Sequence, residues 1–578
     1  MSKLSEKSKF PAISPLILII LLGLASFIFY FNSLPACLSF PDAGNYADVA
    51  RNIYQGRGAV SSHYYPCWFN FIPPFSQWSN VEPLLHPLFI MVNFFIFGIS
   101  DKAVILASAI FFLLCIPIVY LLARSLFDTF GGPFMAGDEY TAVSINPGQT
   151  PALKALECQR INNRELAFIT SMIFMVEPLM LYYSTSGLSE PLFMFLCLSG
   201  ILLAYLAKAG HNFFLSGMLF GLGIYTRMQG LFWLPGILTF ICLSQKKSRP
   251  LAKTAFFFLG LAAVIFIYKI AFFALLPQGS VAYRKLFTAL AFGTNTLPQE
   301  TLMRSILPVE SEFILAHLRE IIFKFWQNLG FYFRQFSFPC LPNLEYPFYR
   351  PYYFTCPVII ILYLVSIFRK HANQKLEALK IATLVLLLTN ILFCSLTITE
   401  IRYLHPLIPL MLIFAVETLF FIFKSMFASL KLQNISLGLF VSFFILLPNL
   451  SLTIDNYRNY PAGQHPWQYP ALAKALAEDT EPQDVVLTNL NVWGSWYGER
   501  KTIFIPLWVN DLPKLEKFTK IDAVFLSSYP PPEGEWAKLI LHPVDFAGFQ
   551  LVKQKEFLIQ EIETRRYIPV KAVLYKRK

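Results

Sequence analysis

Apolar residues in this chain are gathered into blocks separated by short polar or basic joints. Blocks near 14–34, 103–126, 166–183, 190–207, 212–226, 229–244, 252–276, 354–368, 379–398, 403–423 and 434–453 read as membrane-spanning helices. Crossing the hydrocarbon core as a helix takes about 20 apolar residues. A further run, LLHPLFIMVNFFIFG at 84–98, is shorter and carries His86 and Pro87 near its start. Between the first two blocks, Tyr46, Val49, Ala50, Ile53 and Tyr54 recur at helical spacing, with Asp48, Arg51, Asn52 and Gln55 on the other side. That pattern predicts a short helix lying along the membrane surface, stopped by Gly56 and Gly58. After residue 454 the pattern changes. WQYPALAKALAEDT predicts a helix, and DVVLTN (484–489), KTIFIP (501–506) and DAVFLSS (522–528) predict short strands.

The expected fold is therefore an α-helical polytopic membrane protein, residues 1–453, followed by a small α/β domain, residues 454–578. Composition agrees: 56% of residues are hydrophobic and 14% charged. A soluble chain carries about a quarter charged residues. The net charge of +12 does not imply nucleic acid, because Lys and Arg sit largely in short joints such as QKKSRPLAK and RKHANQKLEALK. Such joints favour the inner face of a membrane. With the basic start MSKLSEKSKF inside, they all fall inside only if 84–98 does not cross. The reading is then eleven spans, with 84–98 as a juxtamembrane or re-entrant helix. The loop at 35–102, the turn TSGLSEP, the long loop at 277–353, the turn TEIRYLHP and the C-terminal domain share the outer face.

Cys37 and Cys67 share the first loop, where a disulfide is an open alternative to two free thiols. No C-x-x-C zinc pattern occurs. The sequons at Asn434 and Asn449 lie at or inside a span and carry little weight.

Candidate chemistry collects at the outer boundary. Asp42 follows the first span, Glu82 precedes the 84–98 run, and Glu190 opens a span in GLSEP. Arg227 lies in YTRMQG, and Arg402, Tyr403 and His405 lie in EIRYLHPLIP. Each has an ordinary structural use. Asp42 serves as a helix cap, Glu190 as an N-terminal charge favoured by the helix dipole, and the arginines as interfacial anchors. Charged groups gathered on one face from separate segments point instead to a site. A transporter or flippase, and a non-catalytic envelope assembly protein, are the competing classes. Intramembrane repeats or broken helices near the midplane would mark the former, and no internal repeat is evident.

Several stretches together resemble the GT-C superfamily of membrane glycosyltransferases, in particular bacterial relatives of protein O-mannosyltransferases and of the lipid A aminoarabinose transferase. They are PDAGNYADVARNIYQGRG, EPLLHPLFIMVNFFIFGISDKAVILASAI, YSTSGLSEPLFMFLCLSG, GLGIYTRMQG, RYLHPLIPL and ALAKALAEDTEPQDVVLTNLNVWGSWYGERKTIFIP. They run in order from about residue 40 to 506. The resemblance implies sugar transfer from a polyprenyl-phosphate donor to a hydroxyl of a lipid, glycan or protein acceptor, with inversion. The setting it implies is the outer face of a bacterial inner membrane. It implies Asp42 as the base, Arg402, Tyr403, Arg227 and His405 against the donor phosphate, and Glu190 and Glu82 as a second acidic site. Arg284 and Lys285 in the long loop follow as further cations. Relatives often carry Asp-Glu where this chain has Asp42-Ala43, Asp where it has Glu190, and Pro-Pro-Leu where it has Glu82-Pro83-Leu84. No cofactor is implied with certainty, and a divalent metal stays open, because some members of the superfamily use one and others do not.

Overall fold

A computed structural model describes residues 15–32, 37–38, 40–70, 74–75, 83–128, 150–207, 209–244, 250–272, 290–291, 303–306, 311–337, 357–371, 373–397, 401–426, 468–560 and 567–578. The expected span at 434–453 lies outside the described residues. The helical part begins with α1 (Pro15–Asn32), α2 (Pro41–Tyr54), α3 (Leu85–Phe97), α4 (Asp101–Phe127) and α5 (Thr150–Met175). It continues through α6 (Pro178–Ser184), α7 (Glu190–Leu206), α8 (Gly210–Thr226), α9 (Leu234–Ser244) and α10 (Pro250–Phe272). Later helices are Leu318–Ser337, Pro357–Phe368, Gln374–Leu396 and Ile408–Met426. Among the described residues, four helical stretches are long and apolar enough to cross a membrane: Asp101–Phe127, Pro250–Tyr268, Gln374–Leu396 and His405–Phe423.

Two expected spans are built differently from a straight helix. The run 166–183 breaks after Met175, because Pro178 lacks the amide that a continuing helix needs. Glu177 turns the break into a new start, its Oε2 accepting the Met180 N–H at 2.9 Å. The run 403–423 opens with two short 3-10 turns, Ile401–Tyr403 and His405–Leu407, before its helix begins. The 84–98 run is α3, 13 residues long. At 1.5 Å per residue it reaches only about 20 Å, less than the roughly 30 Å hydrocarbon core.

Backbone contact sets the pairing of α8 with α10. A Cβ on Gly217 would overlap the Phe257 carbonyl, and one on Gly260 would overlap the Phe214 carbonyl. Gly221, one turn on, faces Val264. Small residues at this spacing let two membrane helices touch through their backbones. Gly217→Leu should therefore force the pair apart and cost more than the ~1–3 kcal/mol of ordinary overpacking. Thermal unfolding in detergent should show a clear drop in midpoint. Gly223→Ala, whose Cβ would meet Cys197 Sγ at an ordinary 3.6 Å, should change little. Equal midpoints for both variants would contradict this account.

The C-terminal domain carries a six-stranded sheet of β1 (His63–Tyr64), β2 (Val485–Thr488), β3 (Lys501–Phe504), β4 (Ala523–Ser527), β5 (Phe549–Gln560) and β6 (Tyr567–Arg577). The spatial order is β1-β3-β2-β4-β6-β5. The first four are parallel, and β6 and β5 are added antiparallel. The three expected strands are β2, β3 and β4, and the expected helix is Gln468–Asp479.

Two expectations need correction. The domain is not confined to residues after 454, because β1 comes from the first loop. His63 and Tyr64 pair with Thr502 and Ile503. His63 Nδ1 lies 3.0 Å from Thr502 Oγ1, and burial pushes its pKa down to about 3, so the strand enters the sheet uncharged. The first loop thus supplies a strand to the sheet of the tail. The second correction concerns α2. Most of its polar side does not face water: Asp48, Arg51 and Asn52 are all buried, and only Gln55 at its end is exposed. The C-terminal domain supplies Arg51 with the Ser495 and Trp496 carbonyls, and the first loop's Val60 and Ser62 supply partners to Asn52 and Asp48. Cys37 and Cys67 are both free thiols.

Candidate functional site

Asp42 stands in the first turn of α2, whose N-cap is Phe40 with extended backbone and no side-chain cap bond. The carboxylate is therefore not the cap. Pro41 begins the helix, where a missing N–H costs nothing. The Asp42 side chain remains 40% exposed, and its Oδ2 meets Arg402 Nη2 at 2.9 Å.

Arg402 sits in the 3-10 turn Ile401–Tyr403, at the mouth of the helix Ile408–Met426. It lies between two carboxylates, with its Nε 3.9 Å from Glu190 Oε1. Glu190 opens α7 and is almost wholly buried, 3% exposed. Its Oε1 takes Arg227 Nη1 at 2.7 Å. Arg227 ends α8 in extended backbone, immediately before the 3-10 helix Met228–Trp233, and this turns its side chain across the bundle. Tyr403 presents its ring to both cations, 5.1 Å from the Arg227 guanidinium and 5.5 Å from that of Arg402. Four segments far apart in sequence thereby form one chain of charges, Asp42–Arg402–Glu190–Arg227. Buried ion pairs hold only when geometry and further hydrogen bonds offset desolvation.

His405 is placed differently from the other candidates. It is 1% exposed, stands beside the Tyr183 ring, and lines a small crevice with Glu190, Met180, Met194 and Pro406. It therefore lies at the buried edge of the charged cluster, next to Glu190 in that crevice. Glu82, Arg284 and Lys285 are outside the described residues.

Several polar residues complete the cluster without having been singled out from the sequence. Ser189 Oγ lies 3.2 Å from both Arg227 Nη1 and Tyr46 Oη. His86 Nε2 is 3.0 Å from the Gly187 carbonyl, and its ring packs edge-on against Tyr46. Gly187 has φ +74°, so this bond supports a turn that only glycine takes easily, directly ahead of Ser189 and Glu190. Gln229 Nε2 donates to Asn390 Oδ1 at 3.0 Å and to the Tyr403 carbonyl, tying the Arg227 turn to the Arg402 turn. The only prior signal was a polar residue inside an apolar run, which His86 and Asn390 both give.

Arginines beside a carboxylate can grip a phosphate while the carboxylate takes a proton. A metal-binding reading fits less well. Among the described residues no group of three His, Cys, Asp or Glu is arranged to ligate an ion. Asp42 and Glu190 each face a guanidinium instead.

Comparison with known proteins bears on this arrangement. Residues 156–273, less than half the chain, match the family model for dolichyl-phosphate-mannose-protein mannosyltransferase. That segment contains Glu190 and Arg227. No curated protein sequence matches the chain. In structure the chain is similar to ArnT from Cupriavidus metallidurans in the apo state, with TM-score 0.52 and 12% identity over 96% of this chain and 97% of that one. It is also similar to the oligosaccharyltransferase of Archaeoglobus fulgidus in complex with Zn and sulfate. There the TM-score is 0.53 and identity 13%, over 89% of this chain and 68% of that one. ArnT bound to undecaprenyl phosphate matches with TM-score 0.50, 11% identity and the same coverage as the apo form. The chain thus shares its fold with ArnT over 96% of its length, and within residues 156–273 it matches the mannosyltransferase family model.

Proposed function

We propose that this chain transfers a sugar from a polyprenyl-phosphate-linked donor to a hydroxyl-bearing lipid, glycan or protein acceptor at the outer face of a bacterial inner membrane. The observation that carries the reading is the exposed carboxylate of Asp42 paired with Arg402, beside the Arg227–Glu190 pair. Neighbours in fold support the donor class. ArnT is described bound to undecaprenyl phosphate, and an archaeal oligosaccharyltransferase, AglB, in complex with a dolichol-phosphate.

In the proposed step the acceptor oxygen attacks the anomeric carbon from the side opposite the phosphate. The new C–O bond forms as the bond to the phosphate oxygen breaks, so the anomeric centre inverts. Asp42 takes the hydroxyl proton as the nucleophile develops. The leaving polyprenyl phosphate keeps the bonding electron pair. Arg402 and Arg227 stabilise its growing charge through forked hydrogen bonds. Tyr403 presents its ring to both guanidinium groups. Glu190 keeps Arg227 in place, and His405 is a further donor toward the phosphate. No step is routed through a metal.

The test is mass spectrometry of envelope lipids and glycans from cells with and without the chain. The expected result is an unmodified acceptor that accumulates when the chain is absent and is converted when it is restored. Identical profiles would overturn the reading.

A further inference from the structure

The covered face of α2 carries more than packing. Arg51 is 3% exposed, and both terminal nitrogens of its guanidinium are hydrogen-bonded. Nη2 donates to Asp48 Oδ1 at 2.6 Å and to the Ser495 carbonyl at 2.9 Å, and Nη1 donates to the Trp496 carbonyl at 2.9 Å. The guanidinium also lies 5.0 Å from the centre of the Trp496 ring. Asp48 uses its second oxygen to accept the Ser62 N–H, just ahead of β1.

The same turn of the C-terminal domain is tied to α4. Trp496 Nε1 donates to Asp101 Oδ1 at 2.7 Å, and Tyr497 Oη donates to Asp101 Oδ2 at 2.9 Å. It also presses on the start of α2. A Cβ on Gly44, two residues after Asp42, would lie 2.8 Å from Val492 Cγ1 and 3.2 Å from the Trp493 ring. Residues 492–497 therefore touch α2 at its first turn and at its last, and touch α4 at its first residue.

We propose that Arg51 is a positioning residue: with Asp48 it locks α2 onto the 492–497 turn, so that the C-terminal domain sets where Asp42 stands. The proposal rests on the reading of Asp42 as the base. The domain then acts as part of the site's frame rather than as a tethered module. The physical argument is rigidity. Asp42 is half-exposed and, among the described residues, held by Arg402 alone on its carboxylate side, so the fixing of α2 as a whole sets where its backbone stands. Small displacements of a reacting group are costly, about 10²-fold for 1 Å. Two carbonyls and a carboxylate diverging around one side chain need a planar fork, which lysine lacks.

The test uses the full chain in lipid nanodiscs. Arg51→Gln removes the fork, and the double variant Trp496→Phe/Tyr497→Phe removes the hydrogen bonds to Asp101 while keeping the rings. Should Arg51→Gln fail to fold, the double variant carries the test. Hydrogen exchange over residues 41–54 is measured alongside transfer from tritiated polyprenyl-phosphate mannose. The expected result is faster exchange in 41–54, with kcat lower by about 10-fold or more and donor KM within about twofold. Arg51→Lys should recover only part of the loss. Unchanged exchange overturns the proposal, as does faster exchange with unchanged kcat, or lost kcat with unchanged exchange. A wild-type chain that transfers no sugar counts against the proposed function, and the exchange measurement alone then decides whether Arg51 holds α2.

Discussion

Asp42→Asn should abolish sugar transfer and leave the chain folded. A positioned general base contributes roughly 10²–10⁴ in rate, equivalent to about 2.7–5.5 kcal/mol at the transition state. Asparagine keeps the shape of the side chain and cannot take the proton. The fold should tolerate the change because the carboxylate is 40% exposed and pairs with Arg402 at the edge of the cluster. Exposed pairs of this kind stabilise by about 0.2–1 kcal/mol. The measurement is transfer from a labelled polyprenyl-phosphate sugar, with thermal unfolding as the control. Wild-type turnover in this variant would remove Asp42 from the mechanism.

The second large effect is expected at Arg402. Arg402→Ala should lower kcat by about 10²–10³, the usual loss when a preorganised donor to a developing negative charge is removed. Two things go at once. The leaving phosphate loses a forked partner, and Asp42 loses the cation 2.9 Å from its Oδ2. Arg402→Lys should restore the charge without the fork, and so recover only part of the rate. Rates are to be read at saturating and at low donor, which separates lost transition-state stabilisation from lost binding. An alanine variant with normal turnover would leave Arg402 as an anchor at the membrane boundary and nothing more.

How much of the site was legible from the sequence differs residue by residue. Asp42, Glu190, Arg227 and Arg402 stood out because a charge at the end of an apolar run is costly and conspicuous. Ser189, Tyr46 and Gln229 gave no such signal, because a hydroxyl, a tyrosine or an amide at a helix end is commonplace. They act through the turns they join, as when Gln229 bridges Asn390 and the Tyr403 carbonyl. His405, next to Arg402 and Tyr403 in sequence, is buried and lines a crevice together with Glu190.

The larger gap concerns α2. Asp48 and Arg51, three residues apart, have the spacing of a solvated helix pair. No local pattern distinguishes a polar face that meets water from one that meets another domain. Likewise β1 is two residues of a loop, and two residues carry no alternation by which to recognise a strand.

By itself the sequence determined the polytopic helical class, the charged residues at the ends of the apolar runs, and the cores of β2, β3 and β4. These follow from local physics: burial in lipid demands long apolar helices, and a strand or a boundary charge is written in its own neighbourhood. Only the tertiary structure decided that four of those charges form one chain, and that the first loop supplies a strand to the sheet of the tail. It also decided that α2 is held against the 492–497 turn of the tail. Contacts such as Arg51 with Ser495 and Trp496 join residues more than four hundred positions apart. Their energy depends on which backbone carbonyls are left open by folding, and no single segment carries that information.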